Sequence, residues 1–160
     1  MDREERKEFV RGHRTAVYGF GRKEHGPAMS VVYYVMDGDD ILVWTMADRG
    51  KAKAAHRTGT ASLCVLDEKW PVTYVDVYCT TTVEDDLDAA IDVGMKIMEV
   101  MAGQPIGDEK RPEMIRMCTE EHRVVVRLKP YMTFETPPRH VHQPDDMDTL
   151  THWVGESLPW

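Results

Sequence analysis

Four basic side chains lie close together in the first half of the sequence and could bind an anionic group. They are Arg49, Lys51, Lys53 and Arg57, and Gly50 stands among them. Guanidinium and ammonium groups bind phosphate or carboxylate through charge-assisted hydrogen bonds, and a glycine lets the backbone approach a ligand closely. Because the whole chain carries a formal net charge of -8, the cluster predicts one local anion site rather than a general surface for polyanions.

The elements around this cluster predict how it is positioned. Residues 41–45 and 61–66 are rich in β-formers, whereas residues 51–57 are good helix formers. We therefore predict a strand, a short helix and a second strand, with the cations at the first connection. Backbone amides at the start of a helix favour phosphate, so the helix itself would contribute to the site. The alternative interpretation is a solvated basic turn that offsets nearby acidic residues.

Composition limits the class of protein. At 160 residues the chain has the size of one ordinary domain. Its 20 Lys and Arg against 28 Asp and Glu would repel a phosphodiester backbone, so we expect no nucleic-acid partner. The first residues, MDREERKEFVR, lack the apolar core of a signal peptide, and no later apolar run has the length of a membrane span. We therefore expect a soluble, cytoplasmic protein that does not bind membranes.

Few other motifs suggest catalysis or metal binding. The sequence has no GxSxG elbow, no Walker A motif and no GxGxxG motif at a strand-to-helix turn. Cys64, Cys79 and Cys118 lie in apolar surroundings without CxxC spacing, so we expect buried, reduced thiols. His140 and His142 are close in sequence but lie in a proline-rich segment. A metal site needs further ligands and a fixed backbone, so we expect no metal.

The hydrophobic pattern predicts six or seven strands. The clearest strand covers residues 72–84, where Val75, Val77 and Cys79 share one face and the other face is more polar. The acidic turn at residues 37–40 predicts a hairpin between its flanking strands. The other predicted strands cover residues 15–20, 29–36, 41–45, 60–66, 123–129 and 131–136.

Three further helices are predicted beside these strands. The longest follows Asp85 as its N-cap, carries apolar residues at helical spacing and ends at Gly103. A short, highly charged helix is predicted over residues 2–11, and another helix over residues 109–121. Most of the predicted strands are linked by hairpins. Together, the strands and helices predict a mainly β protein of the α+β class, with the helices at the periphery. Antiparallel strands in this number commonly close into a small barrel, because closure removes exposed edges.

The composition changes near the end of the chain. Residues 1–136 are predicted to form the barrel domain, and from Pro137 the sequence becomes polar and broken by prolines. Residues 137–160 therefore form a predicted C-terminal extension. It contains Trp153 and Trp160, which are too apolar to leave in water without cost, so we expect it to dock on the barrel or on a partner subunit.

Two long segments together resemble a known family. They are ILVWTMADRGKAKAAHRTGTASLCV and WPVTYVDVYCTTTVEDD, which occur in this order within residues 15–129. They resemble the pyridoxamine 5′-phosphate oxidase-like split β-barrels. The resemblance is greatest to the flavin/deazaflavin oxidoreductases, a branch that includes enzymes dependent on coenzyme F420. It implies a six- to seven-stranded antiparallel split β-barrel.

The resemblance also implies a set of cofactor-binding residues. In the family, a lysine and nearby cations hold the cofactor phosphate, and a strand corresponding to residues 29–32 runs beside the cofactor ring. Val31 and Val32 stand where relatives often carry a polar side chain, which leaves backbone contacts to the ring. The alternatives are a two-sided core strand and, for the aromatic turn, simple packing on the barrel. The implied residues are Met29, Ser30, Val31, Val32, Trp44, Thr45, Met46, Arg49, Gly50, Lys51, Lys53, Trp70, Pro71 and Tyr74.

The function implied by this resemblance is that of an oxidoreductase. It would bind the deazaflavin F420 and transfer a hydride between the cofactor ring and a small conjugated organic substrate. An FMN-dependent oxidoreductase of the same fold is one alternative, and a non-catalytic haem- or tetrapyrrole-binding protein is another. Hydride transfer depends on orientation more than on an acid–base pair, and the residues identify no catalytic group. The resemblance also implies a homodimer with the cofactor at the interface.

Overall fold

The computed structural model describes residues 1–67, 69, 72–136, 144–149 and 155–160. Trp70, Pro71, His140, His142 and Trp153 lie outside the described residues. The helices are α1 (Arg3–Gly12), α2 (Gly50–Thr58), α3 (Leu87–Ala102) and α4 (Arg111–Glu120). The strands are β1 (Thr15–Phe20), β2 (Ala28–Tyr33), β3 (Val35–Asp37), β4 (Asp40–Met46), β5 (Thr60–Asp67), β6 (Thr73–Glu84), β7 (Arg123–Glu135) and β8 (Glu156–Pro159).

The strands form one antiparallel sheet that curls into a half-barrel. Its order is β2-β1-β5-β6-β7-β4-β3, and β8 pairs with the second half of β7. In the described part of the chain, β2 pairs only with β1, so its second edge has no strand partner. The sheet is therefore open between β2 and the β3–β4 hairpin, and the predicted mainly β split barrel with peripheral helices is confirmed.

Side chains of β6 alternate between the barrel core and the outer face of the sheet. Val75, Val77 and Cys79 are fully buried on the inner face, as the sequence pattern predicts, whereas Tyr78 on the other face is half-buried. Inner residues of β1, β4, β5 and β7 complete the same cluster of buried side chains. This dry interior supplies most of the driving force for folding, because apolar burial stabilises in proportion to the area removed from water.

Two predicted regions are divided into strands differently in the structure. Residues 29–36 are not one strand, because the chain leaves β2 at Tyr34, whose buried hydroxyl donates to the carbonyl of Val10 at the end of α1. Conversely, residues 123–136 are not two strands. Strand β7 continues through Pro130, and its register against β6 shifts there. A bulge tolerates proline because the extra residue leaves the regular hydrogen-bond ladder.

Helices α3 and α4 cover one side of the barrel. The N-cap of α3 is Asp86 rather than Asp85, since Asp86 accepts a hydrogen bond from the amide of Ala89 at 2.8 Å. Asp85 instead lies 2.9 Å from the ring of His122. The helix ends at Gly103, whose positive φ of 69° suits a residue without a side chain. No helix in the described ranges is both long and apolar enough to cross a membrane.

The C-terminal strand β8 and the last residue pack against α1. The indole of Trp160 is buried in the main core with only 8% of the residue exposed. Arg3 donates to the carbonyl oxygen of Trp160 at 2.6 Å, and Arg6 donates to that of Pro159 at 3.0 Å. Lys7 lies 5.5 Å from the centre of the Trp160 ring. Thus residues 156–160 dock on the barrel of their own chain.

Candidate functional site

A pocket of about 600 Å³ lies at the opening of the barrel. Its walls are the edge strand β2, the end of β4, the start of α2 and one face of α3. A volume of this size is typical of small-molecule and cofactor sites. We call it the barrel pocket.

Ten of the residues that the sequence predicts for cofactor binding line the barrel pocket together. They are Met29, Ser30, Val31, Val32, Trp44, Thr45, Met46, Arg49, Gly50 and Lys51. Lys53 is exposed on α2 and does not line it. Tyr74 does not line it either, and its hydroxyl instead accepts a hydrogen bond from Thr136 at 3.1 Å. Trp70 and Pro71 belong to the residues that the structure does not describe.

The start of α2 forms the cationic end of the barrel pocket. Arg49 occupies the N-cap position but makes no side-chain hydrogen bond to the helix, and the first turn contains no acidic residue. The first-turn amides, which have no acceptor within the helix, and the helix dipole therefore favour an external anion. Burial, together with the charge of Arg49, lowers the pKa of Lys51 below its usual range. A bound phosphate would offset this unfavourable concentration of positive charge.

Gly50 has a packing reason for lacking a side chain. A Cβ atom there would lie 2.9 Å from Cζ of Phe20, closer than such atoms normally come. The glycine therefore lets the Phe20 ring pack against the first turn of α2, which fixes the cationic end relative to β1. This packing is a second reason for glycine at this position, besides the close approach of the backbone to a ligand that the sequence predicts.

The free edge of β2 forms the opposite wall. Met29 and Val31 are each 70% exposed, which is unusual for apolar residues and leaves a flat apolar surface beside the pocket. Between them, Oγ of Ser30 is buried and has no hydrogen-bond partner within the described residues. A buried hydroxyl without a partner carries a desolvation penalty. A ligand with polar ring atoms could supply that partner.

Arg123 is a pocket residue that the sequence does not reveal. Its guanidinium carbon lies 4.1 Å from the centre of the Trp44 ring, and Glu121 holds it by an ion pair of 2.6 Å. It lines the pocket because β7 pairs with β4 so that Arg123 lies opposite Met46. The signal was a basic residue at the start of a strand, but only the register places it at the site.

The remaining pocket residues come from β1, from the two ends of β2 and from α3. They are Phe20, Ala28, Tyr33, Ile97, Met98 and Met101. The last three lie on α3, where apolar residues at helical spacing are typical of a core-facing stripe. Because such a stripe looks the same whether it faces a core or a cavity, the pattern could not identify them.

The chemistry of the lining favours binding and orientation over acid–base catalysis. Within the described residues, the pocket has three cations, polar groups from Ser30, Thr45 and Tyr33, and otherwise apolar walls; it contains no carboxylate and no histidine. No group of three or more His, Cys, Asp or Glu residues that could hold a metal occurs in the described ranges. The arrangement suits an anionic, planar ligand whose own chemistry drives a reaction.

Several solved structures are similar to this chain. A conserved hypothetical protein from Mycobacterium tuberculosis is 24% identical, with a TM-score of 0.72 over 83% of this chain and 82% of that one. A protein named F420 reductase is 15% identical, with a TM-score of 0.61 over 79% and 94%. A Listeria innocua protein provisionally assigned as a pyridoxamine 5′-phosphate oxidase is 12% identical, with a TM-score of 0.59 over 81% and 94%.

The neighbours of this fold carry names that refer to different cofactors. They include a FAD-binding protein from Mesorhizobium loti, with a TM-score of 0.59, and a haem storage protein from Vibrio cholerae, with a TM-score of 0.57. No protein-family model and no curated protein matches the sequence. The structural likeness confirms the resemblance at the level of the fold: the chain has the split-barrel architecture of the pyridoxamine 5′-phosphate oxidase-like proteins.

Proposed function

We propose that this protein is an oxidoreductase that binds coenzyme F420 in the barrel pocket. The cofactor would exchange a hydride with a small conjugated organic substrate, and FMN is the alternative cofactor. The observation that carries the proposal is the uncapped start of α2, with Arg49 and Lys51, facing the same pocket as the free edge of β2. One end suits a phosphate and the other suits a planar ring.

The residues fit such a cofactor in distinct roles. Arg49, Lys51 and the first amides of α2 would hold the phosphate. Ser30 and the backbone edge of β2 would bond the polar edge of the ring, and Met29 and Val31 would pack on its apolar part. When bound, the deazaflavin or flavin supplies the hydride chemistry. The chain supplies orientation and excludes water from the reacting face.

The direct test is titration of the purified protein with F420 and, separately, with FMN, followed by fluorescence. We expect tighter binding of F420, and Lys51→Ala should weaken it at least tenfold, which equals about 1.4 kcal/mol. Lys53→Ala removes the same charge from the exposed face of α2, outside the pocket, and should leave the affinity almost unchanged. Equal affinity of the Lys51→Ala variant and the parent protein would refute the proposed phosphate site.

A haem-binding protein is the second candidate, since one structural neighbour is named as a haem storage protein. A haem carrier would use the cations for propionates and a histidine as an axial ligand. The described lining of the barrel pocket contains no histidine, which favours the deazaflavin. The absorption spectrum after haem titration separates the two: a strong Soret band with a defined stoichiometry would favour haem, and its absence would favour the first proposal.

The proposed assembly is a homodimer with the cofactor at the interface. Its support is the pair of apolar side chains at Met29 and Val31, which are each 70% exposed on a strand edge that has no strand partner within the described residues. Apolar strand edges are normally covered. We expect light scattering to give twice the mass of one chain, and Val31→Lys to give a monomer with weaker cofactor binding. A monomeric parent protein that binds the cofactor tightly would exclude this arrangement.

A further inference from the structure

A second cavity, of about 340 Å³, lies between α3 and α4. We call it the helix cleft. Met98 lines both this cleft and the barrel pocket, so one side chain borders both spaces. The volume falls within the range of small-molecule sites, and nothing in the hydride chemistry proposed above accounts for it.

The walls of the helix cleft are apolar and rich in methionine. Met95 and Met98 come from α3, and Met114 and Met117 come from α4. Ile106, from the connecting loop, adds a further apolar surface. Methionine is unbranched and polarisable, so it adapts its shape to apolar ligands. The charged residues of the lining are exposed at the rim, and the wall chemistry therefore suits an uncharged, apolar group.

The cleft is fixed by close packing at one end and by a loop contact at the other. A Cβ atom on Gly94 would lie 2.8 Å from Sδ of Met114 and 3.0 Å from the Trp44 ring, so α3 lies very close to both neighbours there. One turn later, Met98 follows on the same face. The amide of Ile106 donates to a carboxylate oxygen of Glu99 at 3.2 Å and holds the connecting loop against α3.

We propose that the helix cleft binds the apolar tail of a neutral small molecule, with Met98 at the boundary to the barrel pocket. The placement of the molecule's reacting end in the barrel pocket rests on the proposed function, whereas apolar binding in the cleft does not. The substrate class is then an amphipathic or wholly apolar molecule with an extended tail, and α3–α4 packing becomes a determinant of specificity.

The test uses the neutral fluorophore N-phenyl-1-naphthylamine with the full-length protein. We expect saturable binding with one site per chain, and Met117→Trp, which fills the cleft, should weaken it at least tenfold. Ile115→Trp is the matched control, because Ile115 is on the same helix, is 42% exposed and lines neither cavity. Inorganic phosphate should not compete with the probe.

Methionine-methyl NMR on the unmutated protein provides a test that does not depend on whether a variant folds. The chain has 11 methionines, few enough to assign one by one. The probe should shift the signals of Met95, Met114 and Met117, whereas phosphate should leave these three unmoved. Absence of saturable binding, equal affinity of the Met117→Trp variant, or shifts confined to Met29 and Met46 would overturn the proposal. Failure here would leave cofactor binding at Lys51 untouched, so the two proposals fail separately.

Discussion

Helices α1 and α2 differ in how their N-termini are completed. At α1, Asp2 caps the amide of Glu5 at 2.9 Å, and Glu5 accepts from the amide of Asp2 at 2.7 Å, which is a complete capping box. At α2, the N-cap is Arg49, with no side-chain bond and no acid in the first turn. The N-terminus of α1 is thus completed by side chains of the helix and its N-cap, whereas that of α2 has no side-chain cap.

This difference extends to the surroundings of each helix. Around α1, which we call the closed end, Lys7 pairs with Asp39 at 2.6 Å and β8 pairs with the C-terminal half of β7. Around α2, which we call the open end, the second edge of β2 has no strand partner within the described residues. Buried polar atoms without a hydrogen-bond partner occur at both ends, such as Ser30 Oγ at the open end and Trp160 Nε1 at the closed end. The uncapped helix and the strand edge, rather than single polar atoms, therefore make the open end the one suited to binding a ligand.

Trp160→Ala should have the largest effect, and it should act on stability alone. Removal of a buried indole from the core costs about 3 kcal/mol in the free energy of unfolding, and urea denaturation measures it. Trp160→Phe keeps most of the apolar volume and should lose much less. Anion affinity at the open end should stay the same for both variants. A large loss of affinity would mean that the two ends are not independent.

Arg49→Asp tests the open end, because it should raise stability while it lowers cofactor affinity. The new carboxylate would cap α2 and stabilise the protein by about 0.5 to 1 kcal/mol. It would also occupy the anion site and reduce cofactor affinity by about a hundredfold, equal to about 2.7 kcal/mol. Lys53→Asp makes the same change of charge outside the pocket. Its smaller effect therefore measures how much of the loss of cofactor affinity comes from long-range electrostatics. Calorimetric titration and denaturation, run on the same samples, should move in opposite directions.

Asp2→Ala tests the closed end with a smaller change. Loss of the cap should lower the free energy of unfolding by about 1 kcal/mol without altering cofactor affinity. Glu4→Ala removes a carboxylate from the same helical turn but no cap, and it should cost less. If both variants cost the same, the first-turn charge rather than the capping box completes α1.

The pH dependence of anion binding should give the smallest effect. Sulfate keeps its charge over the alkaline range, so any change reports on the protein. Because burial and Arg49 lower the pKa of Lys51 below the ordinary 10.5, the ammonium loses its proton earlier as the pH rises. Sulfate affinity should therefore fall as the pH rises, starting below the pH at which an ordinary lysine with a pKa of 10.5 loses its proton. Lys51→Arg should remove this dependence, since arginine stays protonated.

The sequence predicts the fold best where one periodicity is unambiguous. Strand β6 alternates cleanly and α3 repeats at helical spacing, so both were correctly predicted in type, and each begins one residue later than predicted. Residues 29–36 are apolar on both faces, and periodicity alone could not show the exit at Tyr34. Pro130 indicates a break, yet the bulge against β6 absorbs it within one strand. Both misplaced boundaries depend on tertiary contacts.

The same limit applies to the site. Arg49, Gly50 and Lys51 are neighbours in sequence, so local order alone places them at one helix start. Arg123 reaches the pocket only through the β4–β7 register, and Met98 only through the packing of α3 on the barrel opening. Sequence patterns therefore predict site residues that are neighbours in one loop, and they miss site residues that come from separate strands and helices.

Strand β7 has a consequence for local opening of the molecule. Its residues 123–128 pair with β4, its residues 132–135 pair with β8, and Pro130, which has no amide proton, lies between them. Strand β6 stays paired with β7 on both sides of Pro130, whereas β8 pairs with β7 alone within the described residues, over four positions. In amide hydrogen exchange, β8 should therefore open before either half of β7, and the pocket walls should keep their shape when this last strand detaches.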